Sequence, residues 1–299
     1  MNPAPVFRFA PSPSGLLHLG HAYSALSCHR AAREAGGRFL LRIEDIDHTR
    51  CRPEFERQIL DDLAWLGLSW EQPVRRQSEH MADYEQALRR LRKMGLIFPC
   101  PASRRQIAER AARAGAEARD PDGGLIYPPR SSPGDPDPWP LPITPGEAVS
   151  WRLDMGRAAA LAQQMTGAEW WFDEQGKGPA GEHGRQLLDP LVWGDVVLAR
   201  RDIGTSYHLS VVVDDALQGV SHVTRGQDLF AATHIHRLLQ ILLELPRPVY
   251  HHHALVRDED GRRLSKTDRD TSLKSLREQG MTPAEIAALC GIDNHYDNL

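Results

Sequence analysis

Two short apolar-rich segments, Val6–Ala10 and Phe39–Glu44, enclose a single helical pattern, and that order constrains the chain more than any other feature. The helical pattern runs from about His18 to Ala35 and stops at Gly36-Gly37. Neither segment alternates cleanly between apolar and polar residues, as expected for strands buried on both faces. A strand, a crossover helix and a second strand of this kind form a parallel pair. An amphipathic pattern from Pro53 to Leu66 extends the rhythm, so the fold class is α/β with a parallel sheet.

The middle of the chain reads differently. Helical patterns cover about Tyr84–Met94 and Arg104–Arg119. Asp120–Gly146 is crowded with Pro and Gly and reads as loop. Val149–Leu153, Trp170–Phe172 and Leu187–Arg200 read as strands of a separate, mixed subdomain. The α/β rhythm returns with HLSVVVDDAL after Tyr207, VSHVTRG, a helix at Leu229–Leu243 and a strand at Val249–Val256. Two short helices within Leu273–Cys290, broken at Gly280 and Pro283, close the chain.

Composition excludes several classes. A net charge of −4 is not that of a globally basic nucleic-acid binder, so any RNA contact must be local. The four cysteines, Cys28, Cys51, Cys100 and Cys290, show no CxxC spacing and read as reduced thiols. No apolar run approaches the roughly 18 residues of a membrane span. The expectation is a soluble, cytoplasmic, monomeric protein with no membrane partner.

Two constellations carry chemistry. In Pro11-Ser12-Pro13-Ser14-Gly15-Leu16-Leu17-His18-Leu19-Gly20-His21, a turn leads from strand to helix. It lies at the carboxyl end of a sheet strand, where α/β folds bind ligands, and it opens a helix whose N-terminus favours anions. His18 and His21 add donors for phosphate oxygens, and Gly20 permits close approach. The second constellation is Arg262-Arg263-Leu264-Ser265-Lys266-Thr267, in a charged loop led by Gly261. A lone lysine there is ordinarily solvated surface. Paired with the first motif, Lys266 can stabilise charge on a transferring phosphate.

These motifs resemble the HIGH and KMSKS signatures of class I aminoacyl-tRNA synthetases. RFAPSPSGLLHLGHA, LLRIEDIDHTR, GDVVLARRDIGTSYHLSVVVDDALQGVSHVTRGQDL and DEDGRRLSK resemble the glutamyl branch in particular. Only 33 residues follow Lys266, and that shortened plan resembles the glutamyl-Q tRNA(Asp) synthetases, which attach glutamate to queuosine in tRNA(Asp). The resemblance implies a Rossmann-type catalytic domain in two halves, 1–95 and 187–247. An inserted α+β subdomain of the acceptor-binding type would span 96–186. The KMSKS loop and a helical stem-contact region would span 248–299, with no anticodon-binding domain.

The resemblance also implies site residues. Glutamate would be bound by Arg8, Phe9, Ala10, Pro11, Ser12, Glu44, Tyr207 and Arg225. The chemistry agrees, because arginine forks grip carboxylates at two points and Glu44 can pair with an ammonium. ATP, with Mg²⁺, would be held by His18, Gly20, His21, Ser265 and Lys266, of which His18, His21 and Lys266 serve catalysis. The expected partners are L-glutamate and tRNA(Asp) carrying queuosine. The alternatives are a shortened glutamyl-tRNA synthetase charging a tRNA 3′ end, and a non-catalytic RNA- or glutamate-binding paralogue.

Relatives carry zinc in the insertion on a CxC and a later Y…C pair. Here those positions are Cys100, Ala102, Tyr127 and Ser131. Too few ligands remain for a closed four-coordinate site, so no zinc is expected. His251-His252-His253 reads as a strand feeding the lysine loop, since alternating side chains put at most two on one face. Arg89, Arg90, Arg92, Lys93 and the arginines of 104–119 are candidate phosphate contacts, as are Arg33 and Arg38. Trp139, Trp151, Trp170 and Trp171 are expected in the core.

Overall fold

The computed structural model describes residues 3–115, 117–127, 148–167, 170–256 and 272–292. The first unit is β1 (Val6–Phe9), α1 (Leu19–Glu34) and β2 (Arg38–Ile43), with β1 and β2 paired in parallel from Val6↔Arg38 to Phe9↔Leu41. Next come α2 (Pro53–Trp65), β3 (Glu71–Arg76) and α3 (Met81–Lys93). β4 (Ile97–Cys100), α4 (Arg104–Ala114), β5 (Ser150–Leu153) and α5 (Met155–Thr166) follow. The remainder is β6 (Trp171–Glu174), β7 (Gly184–Leu187), β8 (Val197–Ala199), α6 (Tyr207–Leu217), β9 (His222–Gly226), α7 (Ala232–Leu242), β10 (Val249–His253), α8 (Leu273–Glu278) and α9 (Pro283–Leu289).

Seven strands form one sheet in the order β3-β2-β1-β9-β10-β6-β7. Neighbours are parallel except for the β6–β7 hairpin. The sheet is covered on both faces, and the strand residues alternate between two cores. Val6 and Leu40 join Val223, Phe172 and the helices α3, α5, α6 and α7. Phe7, Phe9, Phe39, Leu41 and Ile43 join α1, α2, α8 and α9 on the other face. A period of two therefore sends Arg8, Arg42 and Glu44 to the face of Val6 and Leu40, toward α6. Burying each large apolar side chain contributes about 1.5–3 kcal/mol, and that sum holds charged groups inside the sandwich.

β4, β5 and β8 form a separate antiparallel sheet of three strands. The arrangement differs from the sequence reading in three ways. First, β6 and β7, expected in the inserted subdomain, extend the central sheet, because β6 pairs in parallel with β10 at Tyr250↔Glu174. Second, Leu187–Arg200 is not one strand. It breaks at the 3-10 turn Leu191–Trp193, which Pro190 opens and Gly194 closes at φ 59°. Third, α4 stops at Gly115, in the left-handed region at φ 63°, short of Arg119. β3 carries only one buried residue, Val74, and its Pro73 is tolerated at the sheet edge.

The strand order reverses between β1 and β9. Crossovers run outward on either side of that point and leave a crevice beyond the carboxyl ends of the two strands.

Candidate active site

A cleft of about 710 Å³ occupies that crevice. Arg8, Phe9, Ala10, Pro11, Ser12, His18, Gly20, His21, Glu44, Tyr207 and Arg225 all line it. These are the site residues expected from sequence, apart from Ser265 and Lys266, which lie outside the described residues. Residues at the ends of β9 and β10 complete the wall, among them Thr224, Gly226, Asp228 and His253.

The turn after β1 is clipped in place by two backbone bonds, Glu44 N to Pro11 O at 3.0 Å and Arg52 N to Pro13 O at 2.9 Å. It ends in an uncommon cap. His18 is the N-cap of α1, and its Nδ1 accepts from Gly20 N at 3.1 Å. The Nδ1 of His21 accepts from His18 N at 3.2 Å, closing a reciprocal capping box. Both rings spend Nδ1 as an acceptor, so each neutral ring carries its proton on Nε2. The rings stand 3.9 Å apart. Gly20 is needed for this packing, since a Cβ there would lie 3.0 Å from the His18 ring. The histidines thus build the helix start and keep a donor on the far side of each ring.

Arg8 is buried, and its fork is already taken. Nε meets Asp215 Oδ1 at 3.0 Å and Nη2 meets Oδ2 at 3.4 Å. Arg42, fully buried, donates to the same Asp215 at 2.7 Å, to Gln218 at 3.0 Å and to Glu44 Oε1 at 3.1 Å. Burial raises the cost of charging Asp215, but Arg8 and Arg42 outweigh it and hold the carboxyl below its usual range. Burial pushes the Glu44 carboxyl up, against the pull of Arg42 and Arg8. Neighbouring Asp214 accepts from Arg75 at 2.7 Å, Gln77 at 2.8 Å and the Tyr84 hydroxyl at 2.9 Å. One edge of the Arg8 guanidinium, Nε and Nη2, thus braces α6 through Asp215, while Nη1 has no protein partner among the described residues. Asp215 was missed from sequence, whereas Arg42 is foreseeable only as a salt-bridge partner of Glu44. Two adjacent acids in the apolar run VVVDDAL were the available signal, because buried acids require paired partners.

Arg225 is equally buried and held differently. It donates from Nε to His252 Nε2 at 3.1 Å, from Nη1 to His236 Nδ1 at 3.1 Å and to the Tyr207 hydroxyl at 3.4 Å, and from Nη2 to Thr233 Oγ1 at 2.7 Å. Every one of these acceptors is neutral. Burial pushes His252 and His208 down to about 4, and burial with the Arg225 charge lowers His236 as well. Burial raises the Tyr207 phenol to about 12. Among the described residues, no carboxylate pairs with Arg225. Its charge is left to whatever enters the cleft.

The end of β10 is tied to α1. His253 Nδ1 donates to Ala254 O at 2.9 Å, so its Nε2 accepts the Ser24 hydroxyl at 2.7 Å. His251 is exposed while His252 and His253 are buried. The arginines of α3 are engaged within the protein, Arg89 with Glu85, Arg90 with Glu244, and Arg92 over the Trp151 ring. Arg38 pairs with Glu71 at 2.8 and 2.6 Å. Trp171, expected in the core, is half-buried and stacked by Arg185 and Arg247. Trp139 lies outside the described residues.

Cys100, Ala102 and Tyr127 do come together, in a small apolar cluster with Phe98 and Ile107. Ser131 lies outside the described residues. A thiol, a methyl and a phenol do not fit a structural zinc site. Among the described residues, no three His, Cys, Asp or Glu side chains are grouped to hold a metal, and no helix is long and apolar enough to cross a membrane.

A family model described as tRNA synthetases class I (E and Q), catalytic domain, matches residues 6–123 and 183–292. A glutamyl-Q tRNA(Asp) synthetase from Rhodobacter capsulatus is 51% identical over 290 residues, covering 96% of this chain and 100% of the relative. One from Nocardia farcinica is 40% identical over 283 residues, covering 94% and 82%. Among solved structures, a glutamate tRNA ligase from Elizabethkingia meningosepticum, in complex with its amino acid, has a TM-score of 0.72 at 23% identity. That match covers 96% of this chain and 60% of the other. Methionyl-tRNA synthetase of Mycobacterium tuberculosis, in complex with methionyl-adenylate, has a TM-score of 0.60 at 13% identity, over 97% and 64%. The two structures speak for the fold, and this chain spans less than two thirds of the length of either. The family match and the curated relatives go further: the chain belongs to the class I tRNA synthetases of the glutamate and glutamine type and, within them, to the glutamyl-Q tRNA(Asp) synthetase group of ligases.

Proposed function

We propose that this chain activates L-glutamate with ATP, without tRNA, and passes the glutamyl group to the queuosine base in the anticodon of tRNA(Asp). One observation carries the glutamate assignment. Arg225 is a buried guanidinium with only neutral partners, in the same cleft as the His18–His21 turn. A side-chain carboxylate supplies the missing charge, and an uncharged analogue leaves it unmet. Glu44 lines the cleft, and its Oε2, with no partner among the described residues, suits the substrate ammonium. Arg8 and the Ser12 turn line the same space.

In the first step the α-carboxylate oxygen attacks the α-phosphorus of ATP. The bond from that phosphorus to the bridging oxygen breaks, giving glutamyl-adenylate and pyrophosphate. A carboxylate is already a nucleophile, so positioning and charge stabilisation suffice. His18 and His21 offer Nε2–H donors at a helix N-terminus, where phosphate charge is favoured. Ser265 and Lys266 are assigned to the same nucleotide by their motif. Mg²⁺ arrives with the phosphates as part of the substrate. In the second step a ring hydroxyl of queuosine attacks the acyl carbon, the acyl–phosphate bond breaks, and the departing AMP takes the proton.

The acceptor assignment is supported by the Rhodobacter relative, which this chain matches over that protein's whole length. The test has two parts. Glutamate-dependent ATP–pyrophosphate exchange is expected without tRNA, and its absence would sink the activation step. Labelled glutamate is expected on tRNA(Asp) that contains queuosine and not on tRNA(Asp) that lacks it. Labelling of tRNA(Glu) instead would assign the acceptor to a 3′ end.

A further inference from the structure

The groups that hold Arg225 continue past the cleft wall to an acid in the unmatched stretch between the two family-matched segments. Glu174 ends β6 and is fully buried. Its Oε1 accepts the backbone N–H of Gly176 and of His252, both at 2.8 Å. Its Oε2 meets His252 Nδ1 at 2.5 Å. An ionised carboxylate only accepts, so the His252 proton must sit on Nδ1. Nε2 is then a lone pair, and it faces two donors, Arg225 Nε at 3.1 Å and the Thr233 hydroxyl at 3.4 Å. An arginine cannot accept, so only this tautomer fits.

We propose that Glu174 and His252 are positioning residues that set the enzyme's affinity for the glutamate side chain: the acid fixes the imidazole tautomer, and the imidazole fixes Arg225. This rests on the reading of Arg225 as the substrate's carboxylate partner. The imidazole also acts as a spacer. A carboxylate bonded directly to Arg225 would quench its charge, as Asp215 does for Arg8. Placed one ring away, Glu174 orients the guanidinium while leaving the near charge to the substrate. Burial opposes the Glu174 charge, but the hydrogen bonds from His252 and from backbone N–H groups outweigh it, and the carboxyl stays below its usual range.

Glu174→Gln tests the proposal with little change in shape. An amide at 174 must aim an N–H at one of the donors now bound. If it donates to His252 Nδ1, the ring proton moves to Nε2 and confronts Arg225. The expected result in tRNA-free exchange is a rise of roughly ten-fold or more in the KM for glutamate, the size of one mismatched buried hydrogen bond. The KM for ATP and kcat at saturating glutamate should stay within about three-fold. Nitrogen-15 spectra of the ring should show protonated Nδ1 in the native protein and lose that pattern in the variant. Equal rises in both KM values, or an unchanged glutamate KM in a folded variant, would overturn the relay.

A second pair guards against a variant that fails to fold. His252→Gln keeps a donor and an acceptor, whereas His252→Phe keeps the volume alone. The Gln variant should bind glutamate more tightly than the Phe variant, and equal affinity would count against the relay. Arg225→Lys separates the two layers of the argument. Unchanged glutamate KM in that variant overturns the reading of Arg225 itself. A large rise there, with Glu174→Gln silent, removes the relay and leaves the reading of Arg225 standing.

Discussion

Arg8 and Arg225 face one cleft from neighbouring strands, and the protein treats their charges in opposite ways. Arg8 is locked to Asp215, which Arg42 shares, inside a cage that also holds Glu44 and Asp214. Arg225 rests on two histidines, a threonine and a tyrosine. The first arrangement makes the sheet–α6 junction rigid and internally neutralised. The second keeps a cation short of an anion. Two equally buried arginines in one cleft thus differ in the chemical class of the partners already in place, and only Arg225 is left without an acid among the described residues.

The largest expected effect breaks the first arrangement. Asp215→Asn leaves Arg8 and Arg42 without their shared acid, and urea unfolding should register a loss of about 3–5 kcal/mol. Arg225→Met should do the reverse. Exchange assays should lose glutamate affinity by about 100-fold, close to 3 kcal/mol, with less loss of stability than Asp215→Asn causes.

Acid sharpens the contrast. His252 and His208 have folded pKa values of about 4, below the unfolded value. The unfolded chain therefore binds more protons as pH falls from about 6.5 toward 4, and stability declines through that window. Asp215 is held below its usual range and stays ionised there. Thermal stability should fall between pH 7 and pH 5, whereas glutamate KM should hold to about pH 5 and rise only as pH approaches 4, with the Arg225 side failing before the Asp215 cage. Survival of glutamate affinity to pH 4 would break the comparison. The smallest effect is a control. Arg38→Ala removes an exposed bidentate pair with Glu71, and the expected change is within about 0.5 kcal/mol, as for most surface pairs.

Much of this is legible in the sequence. β1, α1 and β2 announce themselves because apolar strands and a glycine-stopped helix leave little choice. The described residues that the motifs pointed to converge on one cleft. Two kinds of feature were hidden. β3 shows one buried apolar side chain, Val74, so nothing in its pattern separates it from a loop. The side chains that decide how each arginine behaves lie far away in sequence. Asp215 meets Arg8 across 207 residues, and Glu174 meets His252 across 78. Residue type shows that a buried acid needs a partner, but only the topology says which one. The Leu187–Arg200 reading failed for a local reason, because Pro190 and Gly194 outweigh the apolar run around them.

The two-faced sheet has a consequence for the order in which the molecule is made. The face built by Phe7, Phe39, Leu41 and Ile43 is roofed by the neighbouring α1 and α2 and also by α8 and α9, which follow much later in the chain. Cys290 reaches back to the carbonyl of Leu19 over 271 residues, Leu273 N bonds Leu17 O at 2.8 Å, and Ser272 bridges His18. During synthesis the histidine turn and part of this core wait for α8 and α9 to be made. Such distant pairing slows folding and exposes apolar surface meanwhile. A nascent chain halted before residue 272 should thus hold its histidine turn only loosely. That turn would be completed long after its own residues are translated.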